Sequence, residues 1–222
     1  MIKFDKVVKK FDSKTTALDD ITVEIADGEF VFLTGPTGSG KTTFFRLLMR
    51  DLLPTKGNVI IGNWDITKLP SSKIPQLRKK IGIIFQDLKL LLDRTIFENV
   101  ALPLEISGKS PQAVKKRVDE LLDLVGLTNM EHRFPKELSG GELQRAAIAR
   151  AVGAEPEILL ADEPTGNLDL GTSWGIMKLL SGINEKGTTI IMATHNVDII
   201  TSLKKRTIML EKGKIVKDEK RS

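Results

Sequence analysis

The chain has 222 residues, 41% of them hydrophobic and 28% charged, and its 34 basic and 29 acidic residues give a formal net charge of +5. That length accommodates one large domain, or a core with a subdomain, and the composition is that of an ordinary globular protein rather than a disordered one. The absence of cysteine excludes disulfides, thiol catalysis and thiolate metal sites, and two histidines, His132 and His195, are too few for a typical histidine zinc site.

No apolar run approaches the ~20 residues that cross a bilayer, and Met1 to Lys6 lacks the apolar stretch of a signal peptide. The chain itself is therefore expected to stay in the cytosol. Its opening third reads as strands at Ile2 to Val8, Ile21 to Ile25, Phe30 to Leu33 and Val59 to Ile61, broken by Asp-Gly and Lys-Gly turns. After the third of these comes Gly35-Pro36-Thr37-Gly38-Ser39-Gly40-Lys41-Thr42-Thr43, which fits G-x-x-x-x-G-K-[ST] without a mismatch. Phe44, Leu47 and Leu48 then share one face of a helix expected over Thr43 to Arg50. A strand, a glycine-rich loop and a helix start make a phosphate cradle, because backbone N–H groups converge on anionic oxygens and the helix N-terminus adds positive potential. Lys41 would reach the β- and γ-phosphates of a nucleotide and Thr42 would hold Mg²⁺. An ordinary glycine turn is the competing reading, and the complete pattern between a strand and a helix disfavours it.

Ile81 to Phe85 reads as another buried strand. The middle of the chain changes period. Ile96 to Ile106 reads as a helix despite Pro103. Ser110 and Pro111 form a helix start, Val114, Val118, Leu121, Leu122 and Val125 share a face, and Gly126 is a plausible stop. Leu138 to Arg145 contains a second helix start with two glycines, Gly140 and Gly141. Ser139 and Glu142 have the spacing of a capping box, and that role leaves the glycine N–H groups free to face an anion. Ile158 to Ala161 is an apolar strand that ends in Asp162 and Glu163, which puts two carboxylates at the mouth of a sheet. Asp162 would hold Mg²⁺ and Glu163 would orient an attacking water. Thr188 to Ala193 is a further buried strand, helices are expected at Ser173 to Ile183 and Val197 to Leu203, and strands at Thr207 to Leu210 and Lys214 to Val216 flank a Lys212-Gly213 turn. The charged stretch from Lys217 to Ser222 is expected to be mobile. Two basic clusters, Arg78 to Lys80 and Lys204 to Arg206, carry no interleaved aromatics, so a nucleic-acid platform is not expected.

These stretches, in this order and over the whole length, resemble the nucleotide-binding subunit of an ABC ATPase. The resemblance implies an α/β P-loop fold with a RecA-like mixed sheet core, an antiparallel β subdomain and an inserted helical subdomain. It divides the single domain 1–222 into a core with β subdomain at 1–87 and 156–222 and a helical subdomain at 88–155. It adds roles that the residues alone do not carry. Gln86 matches the glutamine that senses Mg²⁺ and the γ-phosphate, Asp169 in Gly166-Asn167-Leu168-Asp169 matches the dimer-interface loop, and His195 matches the γ-phosphate switch. Catalysis is thus expected from Glu163, His195 and Gln86, ATP binding from Phe11 and residues 35 to 43, and Mg²⁺ binding from Thr42, Gln86 and Asp162. Ser139, Gly140, Gly141 and Glu142 would act in trans, in a homodimer that closes on ATP. Two positions depart from the usual pattern. Phe11 stands where the adenine-stacking residue is usually Tyr, which keeps the π-face but loses the hydroxyl; a core role for Phe11 is the alternative. Glu142 stands where Gln is usual.

Ala161 to Asp169 is similar to the branch holding lipoprotein-releasing, macrolide-export and cell-division ATPases. Phe32 to Gly35, Ile81 to Thr95 and Asn99 to Leu104 resemble the cell-division members most. This implies an FtsX-like integral membrane partner, a place on the cytoplasmic face of the membrane, and control of cell-wall hydrolases rather than pumping. Leu88 to Arg94 would form the groove for the partner's helix. A lipoprotein-releasing or macrolide-export ATPase is the alternative.

Overall fold

Two sheets organise the chain, and their strands follow from alternating or continuous apolar runs. The computed structural model describes residues 1–12 and 14–220. Strands β1 (Ile2–Lys10) and β2 (Thr16–Ile25) form an antiparallel pair, and β3 (Phe30–Thr34) leads through the glycine loop into α1 (Lys41–Leu48). β4 (Lys56–Ile61) and the short β5 (Trp64–Asp65) return to the first sheet, whose order is β2-β1-β4-β5. Helix α2 (Ile74–Lys79), opened by Pro75, precedes β6 (Ile81–Ile84). Three helices follow without a strand: α3 (Ile96–Ile106), α4 (Pro111–Leu124) and α5 (Gly140–Val152). The chain then alternates through β7 (Ile158–Asp162), α6 (Leu170–Glu185), β8 (Thr189–Ala193) and α7 (Val197–Leu203), and ends on β9 (Arg206–Glu211) and β10 (Lys214–Glu219).

The second sheet has the order β10-β9-β3-β8-β7-β6. Its strands from β9 to β6 pair in parallel and β10 joins antiparallel. Successive side chains point to opposite faces, which divides the core in two. Phe30, Phe32, Leu159, Ala161, Ile190 and Met192 face the helices α3 to α6. Val31, Leu33, Leu160, Ile191 and Ala193 face α1 and the antiparallel sheet. Burial on both faces is why β3, β7 and β8 are unbroken apolar runs. Phe4 of β1 stacks on Phe44 of α1 at 4.0 Å, which ties the two sheets together beside the glycine loop.

The helix caps follow the residues that signal them. Ser110 caps α4 by accepting from Ala113 N–H, and Thr95 makes a full capping box with Glu98 at the start of α3. Several strand ends lie beyond the sequence expectation. β2 begins at Thr16 rather than Ile21, because Thr16 and Leu18 pair with Lys10 and Lys9 of β1 and Leu18 is buried. β10 runs to Glu219, past the expected Val216, because Asp218 chelates Arg206 of β9 with two bonds of 2.7 Å. Of the stretch expected to be mobile, residues 221–222 lie outside the described residues. Both basic clusters are partly engaged within the fold: Arg206 also bonds Glu29, Lys80 bonds Glu157 and Arg78 donates to Met49 O.

Candidate functional site

Sheet register gathers the residues that the sequence singles out. Leu33 of β3 and Asp162 of β7 both pair with Ala193 of β8, and Ile84 of β6 pairs with Ala161. The strands are parallel, so their C-terminal ends finish at one edge. From that edge emerge the loop at Gly35, the turn at Gln86, the acids Asp162 and Glu163, and Thr194-His195. Open α/β sheets bind ligands at this edge, where backbone groups and helix N-termini are free.

The loop from Gly35 to Gly40 has glycine where only glycine fits. Gly35 has φ 136° and Gly40 φ 113°; a Cβ would lie 2.0 Å from Leu210 O at the first and 2.6 Å from Ala17 O at the second. Gly40 also serves as the N-cap of α1 without a side-chain cap, so the first N–H groups of α1 have no side-chain acceptor at the cap. Lys41 Nζ folds back onto the loop, donating to Gly35 O at 2.7 Å and Pro36 O at 3.0 Å. Ser39 Oγ is buried without a partner among the described residues. Pro36, Thr37, Gly38 and Thr42 are exposed, and Thr43 is half-buried. An orphaned hydroxyl, uncapped helix N–H groups and a lysine held only by loop carbonyls fit a polyphosphate. Thr42 hydroxyl, Gln86 amide and Asp162 carboxylate are all oxygen donors, which suits Mg²⁺. Among the described residues no cluster of three or more His, Cys, Asp and Glu could hold a metal alone. Mg²⁺ commonly takes one or two carboxylates and shares substrate phosphates.

Burial raises the Asp162 carboxyl above its usual range, the charge of Glu163 adds to the rise, and Lys41 opposes it. A carboxyl whose folded pKa exceeds its unfolded value opposes folding as pH rises above the unfolded value, fully so above the folded one. Asp162→Asn is therefore expected to raise the thermal midpoint of the nucleotide-free protein near neutral pH while abolishing Mg²⁺-dependent turnover. Calorimetry without nucleotide checks the first half; a lower midpoint would show that the lost charge had been stabilising.

Glu163 takes a left-handed backbone, φ 48°, just past the end of β7, with its N–H on Ala193 O at 2.9 Å. A non-glycine residue in that region marks a constrained turn. Its Oε1 sits 2.9 Å from His195 Nδ1; the glutamate side chain is 13% exposed and the imidazole 76%. The turn thus holds the carboxylate at the strand end and presents the histidine outward.

Phe11, 52% exposed, is not a core residue. It stands in the turn between β1 and β2, its N–H on Thr15 O, with Lys9 Nζ 5.4 Å from the ring centroid. Asp12 is held below its usual range by the N–H groups of Lys14 and Thr15, so its carboxylate is engaged inside that turn. Phe11→Ala should weaken ATP binding by about 1 kcal/mol with little loss of fold stability, read by equilibrium titration with a fluorescent ATP analogue. An unchanged affinity would remove the ring from the base site.

Ser139 caps α5 with the full capping box: Glu142 Oε2 accepts from Ser139 N–H at 2.8 Å and Ser139 Oγ at 2.7 Å, and these bonds lower the Glu142 carboxyl. Glu142 is thereby turned back on the cap. Gly141 packs where a Cβ would lie 2.8 Å from Thr172 Cγ2, and Gly140 faces Leu168. Asp169 caps α6 through Thr172, whose hydroxyl and N–H hold its carboxyl low. This glycine-rich end and the Asp169 turn therefore share one neighbourhood, while the Gly35 loop packs on Ala17 and Leu210. Gln86 is exposed in a turn where Leu88 N–H reaches Phe85 O. Leu92 is 73% exposed and Leu91 also projects, whereas Leu90 packs on the helical core.

Two residues to which the sequence reading gave no role of their own organise this segment. Buried Asn99 bonds the backbone of Leu91, Arg94 and Thr95, and Arg150 bonds that of Leu88 and Lys89. A polar residue on the buried face of α3 was the available signal for Asn99; an arginine on a helix carries none.

The model of the ABC transporter family matches residues 18–166. The cell division ATP-binding protein FtsE of Bacillus subtilis (strain 168) is 49% identical over 221 residues, which cover 100% of this chain and 97% of that one. The protein of the same name from Mycobacterium tuberculosis is 50% identical over 222 residues, covering 100% and 96%. Among solved structures, the dimeric post-hydrolysis state of the ATP-binding cassette MJ0796 bound to ADP and Pi superposes with a TM-score of 0.90 at 37% identity, covering 99% of this chain and 98% of that one. The chain of cbiO1 from Clostridium perfringens, part of the ABC transporter complex cbiONQ, also gives 0.90, at 31% identity, covering 99% and 88%.

Proposed function

The chain belongs to the ABC transporter family, and from that premise we propose that it is the ATP-hydrolysing subunit of a cell-division membrane complex of the FtsE–FtsX type. The observation that carries the ATPase reading is the register of β6, β7, β8 and β3, which delivers the Gln86 turn, both acids, His195 and the glycine loop to one sheet edge.

The chain's own groups divide the work. The N–H groups at the start of α1 and Lys41 bind the phosphates, Lys41 exchanging two loop carbonyls for phosphate oxygens. Phe11 offers its face to adenine. Thr42, Gln86 and Asp162 would hold Mg²⁺, which when bound neutralises charge on the phosphates. Glu163 orients a water and accepts its proton, and His195, bonded through Nδ1, steadies that carboxylate and presents its free edge to the γ-phosphate. The separate neighbourhoods of the Gly35 loop and the Ser139 end support a site completed by a second copy, with Ser139, Gly140 and Gly141 facing the loop of the partner and Asp169 at the interface. Glu142 acts there as the cap that orients the two glycines. Closure excludes water, so turnover depends on dimerisation.

The apolar surface beyond Gln86 supports a membrane partner. A groove of about 380 Å³ is lined by Ile74, Pro75, Ile81, Pro103 and Ile106 together with Arg78 and Lys79, and it adjoins a cavity lined by Phe85 and Lys89; Leu91 and Leu92 are exposed in the segment that follows. Of the stretch Leu88 to Arg94 only Lys89 lines the adjoining cavity, so the proposed seat for the partner's helix lies along the edge of β6 and against α2 and α3. Apolar lining residues beside Arg78 and Lys79 suit an amphipathic helix bearing acidic residues. Among the described residues no helix is long and apolar enough to cross a membrane, so the place at the cytoplasmic face of the membrane is assigned to the partner. Affinity capture from native membranes, with Glu163→Gln and Mg-ATP holding the closed state, tests the reading. An FtsX-like protein is the expected capture; a lipoprotein-releasing or macrolide-export permease would overturn the division assignment and leave the ATP site intact.

A further inference from the structure

Leu88 and Lys89 are consecutive left-handed residues, φ 58° and 50°, directly after the Gln86 turn. Side-chain-bearing residues persist in that conformation only where their surroundings hold them. The holder is Arg150, near the C-terminal end of α5. Its Nη2 donates to Leu88 O at 2.5 Å and its Nη1 to Lys89 O at 2.6 Å. A planar fork holds both carbonyls with two donors in fixed relative geometry, whereas a lysine ammonium is a point charge on a flexible stem. The turn is otherwise closed by its own short bonds, Leu88 N–H to Phe85 O and Lys89 N–H to Asp87 O, so Gln86 has little freedom independent of residues 88–89. On the far side Asn99 of α3 holds residues 91–95 with bonds of 2.8 to 3.2 Å. The segment is suspended between α5 and α3. Arg150 also lines, with Phe85, Lys89 and Ile106, a cavity of about 250 Å³ that adjoins the groove.

We infer that Arg150 is a positioning residue: its fork ties the Gln86 turn to α5, so that the place of the Gln86 side chain follows the helix that begins at Ser139. The clamp itself stands on geometry; its consequence for turnover rests on the role proposed for Gln86. One rigid helix then connects the end that faces a second copy with the turn beside the partner groove. Movement at either end of α5 is transmitted to Gln86 without any contact between them.

Two measurements on the full chain test this. Hydrogen exchange without nucleotide reads the clamp. In Arg150→Met, the amides of residues 86–95 should exchange about tenfold faster, while those of α4 stay as in the unmodified chain. Turnover in a double-mutant cycle reads the consequence. Arg150→Met should lower kcat about tenfold with ATP affinity within about twofold, and should lower it less than about twofold when Gln86→Ala is already present. Arg150→Lys, which keeps the charge without the fork, should fall between. Unchanged exchange in 86–95, faster exchange across the whole chain, or an equal loss of kcat in both backgrounds would each overturn the inference. Localised loosening with normal turnover in Gln86→Ala would instead overturn the role given to Gln86 and leave the clamp standing.

Discussion

Glu163→Gln is expected to lower kcat by at least about 100-fold while leaving ATP binding intact. The substitution keeps the size of the side chain and a hydrogen bond to His195 Nδ1, and removes the negative charge together with the capacity to accept a proton. The backbone turn should survive, because the left-handed conformation of Glu163 is held by its N–H on Ala193 O and by Gly166 N–H on its own carbonyl. ATP would then bind without being consumed, and the closed pair of subunits would accumulate. Single-turnover kinetics and size-exclusion chromatography with Mg-ATP read both consequences. Ordinary turnover in this variant would take the general-base role from Glu163, and failure to accumulate a dimer would separate closure from nucleotide binding.

Lys41→Ala is expected to weaken ATP binding on the order of 100-fold, because a charge-assisted hydrogen bond contributes about 1.5–3 kcal/mol and the ammonium can make more than one to phosphate. The same ammonium bonds the carbonyls of Gly35 and Pro36. Those carbonyls lie in the open loop, where water can replace the lysine, so the melting temperature should change little. Equilibrium titration with a fluorescent ATP analogue, paired with a thermal melt, distinguishes the outcomes. Full affinity in the variant would withdraw the phosphate assignment; a collapsed melt would make Lys41 a brace of the loop.

Much of the site is legible in the sequence because its chemistry is local. Gly35 to Thr43 is contiguous, the acids follow their strand without a gap, and Ser139 meets Glu142 within one helical turn. Caps such as Ser110 and Pro111 are equally local. The polar start of β2 was less legible, because Thr16 to Asp20 carries only one buried apolar residue and owes its strand to pairing with β1. The end of β10 was hidden for a similar reason: its charges look like a solvated tail until Asp218 meets Arg206.

The sequence by itself determined that a glycine loop ending in Gly40-Lys41-Thr42, a carboxylate-bearing strand and a second glycine-rich helix start exist in this protein. Periodicity and capping act between residues a few positions apart, and those distances are written in the order of the chain. Only the tertiary structure decided that four strand ends finish in register, that Phe11 faces outward, that Glu163 meets His195, and that Arg150 holds the turn after Gln86. Arg150 and Leu88 are 62 positions apart. A contact of that span has no periodic trace, since it depends on how α5 packs against β6 and on which carbonyls are left without a partner once the sheet has formed.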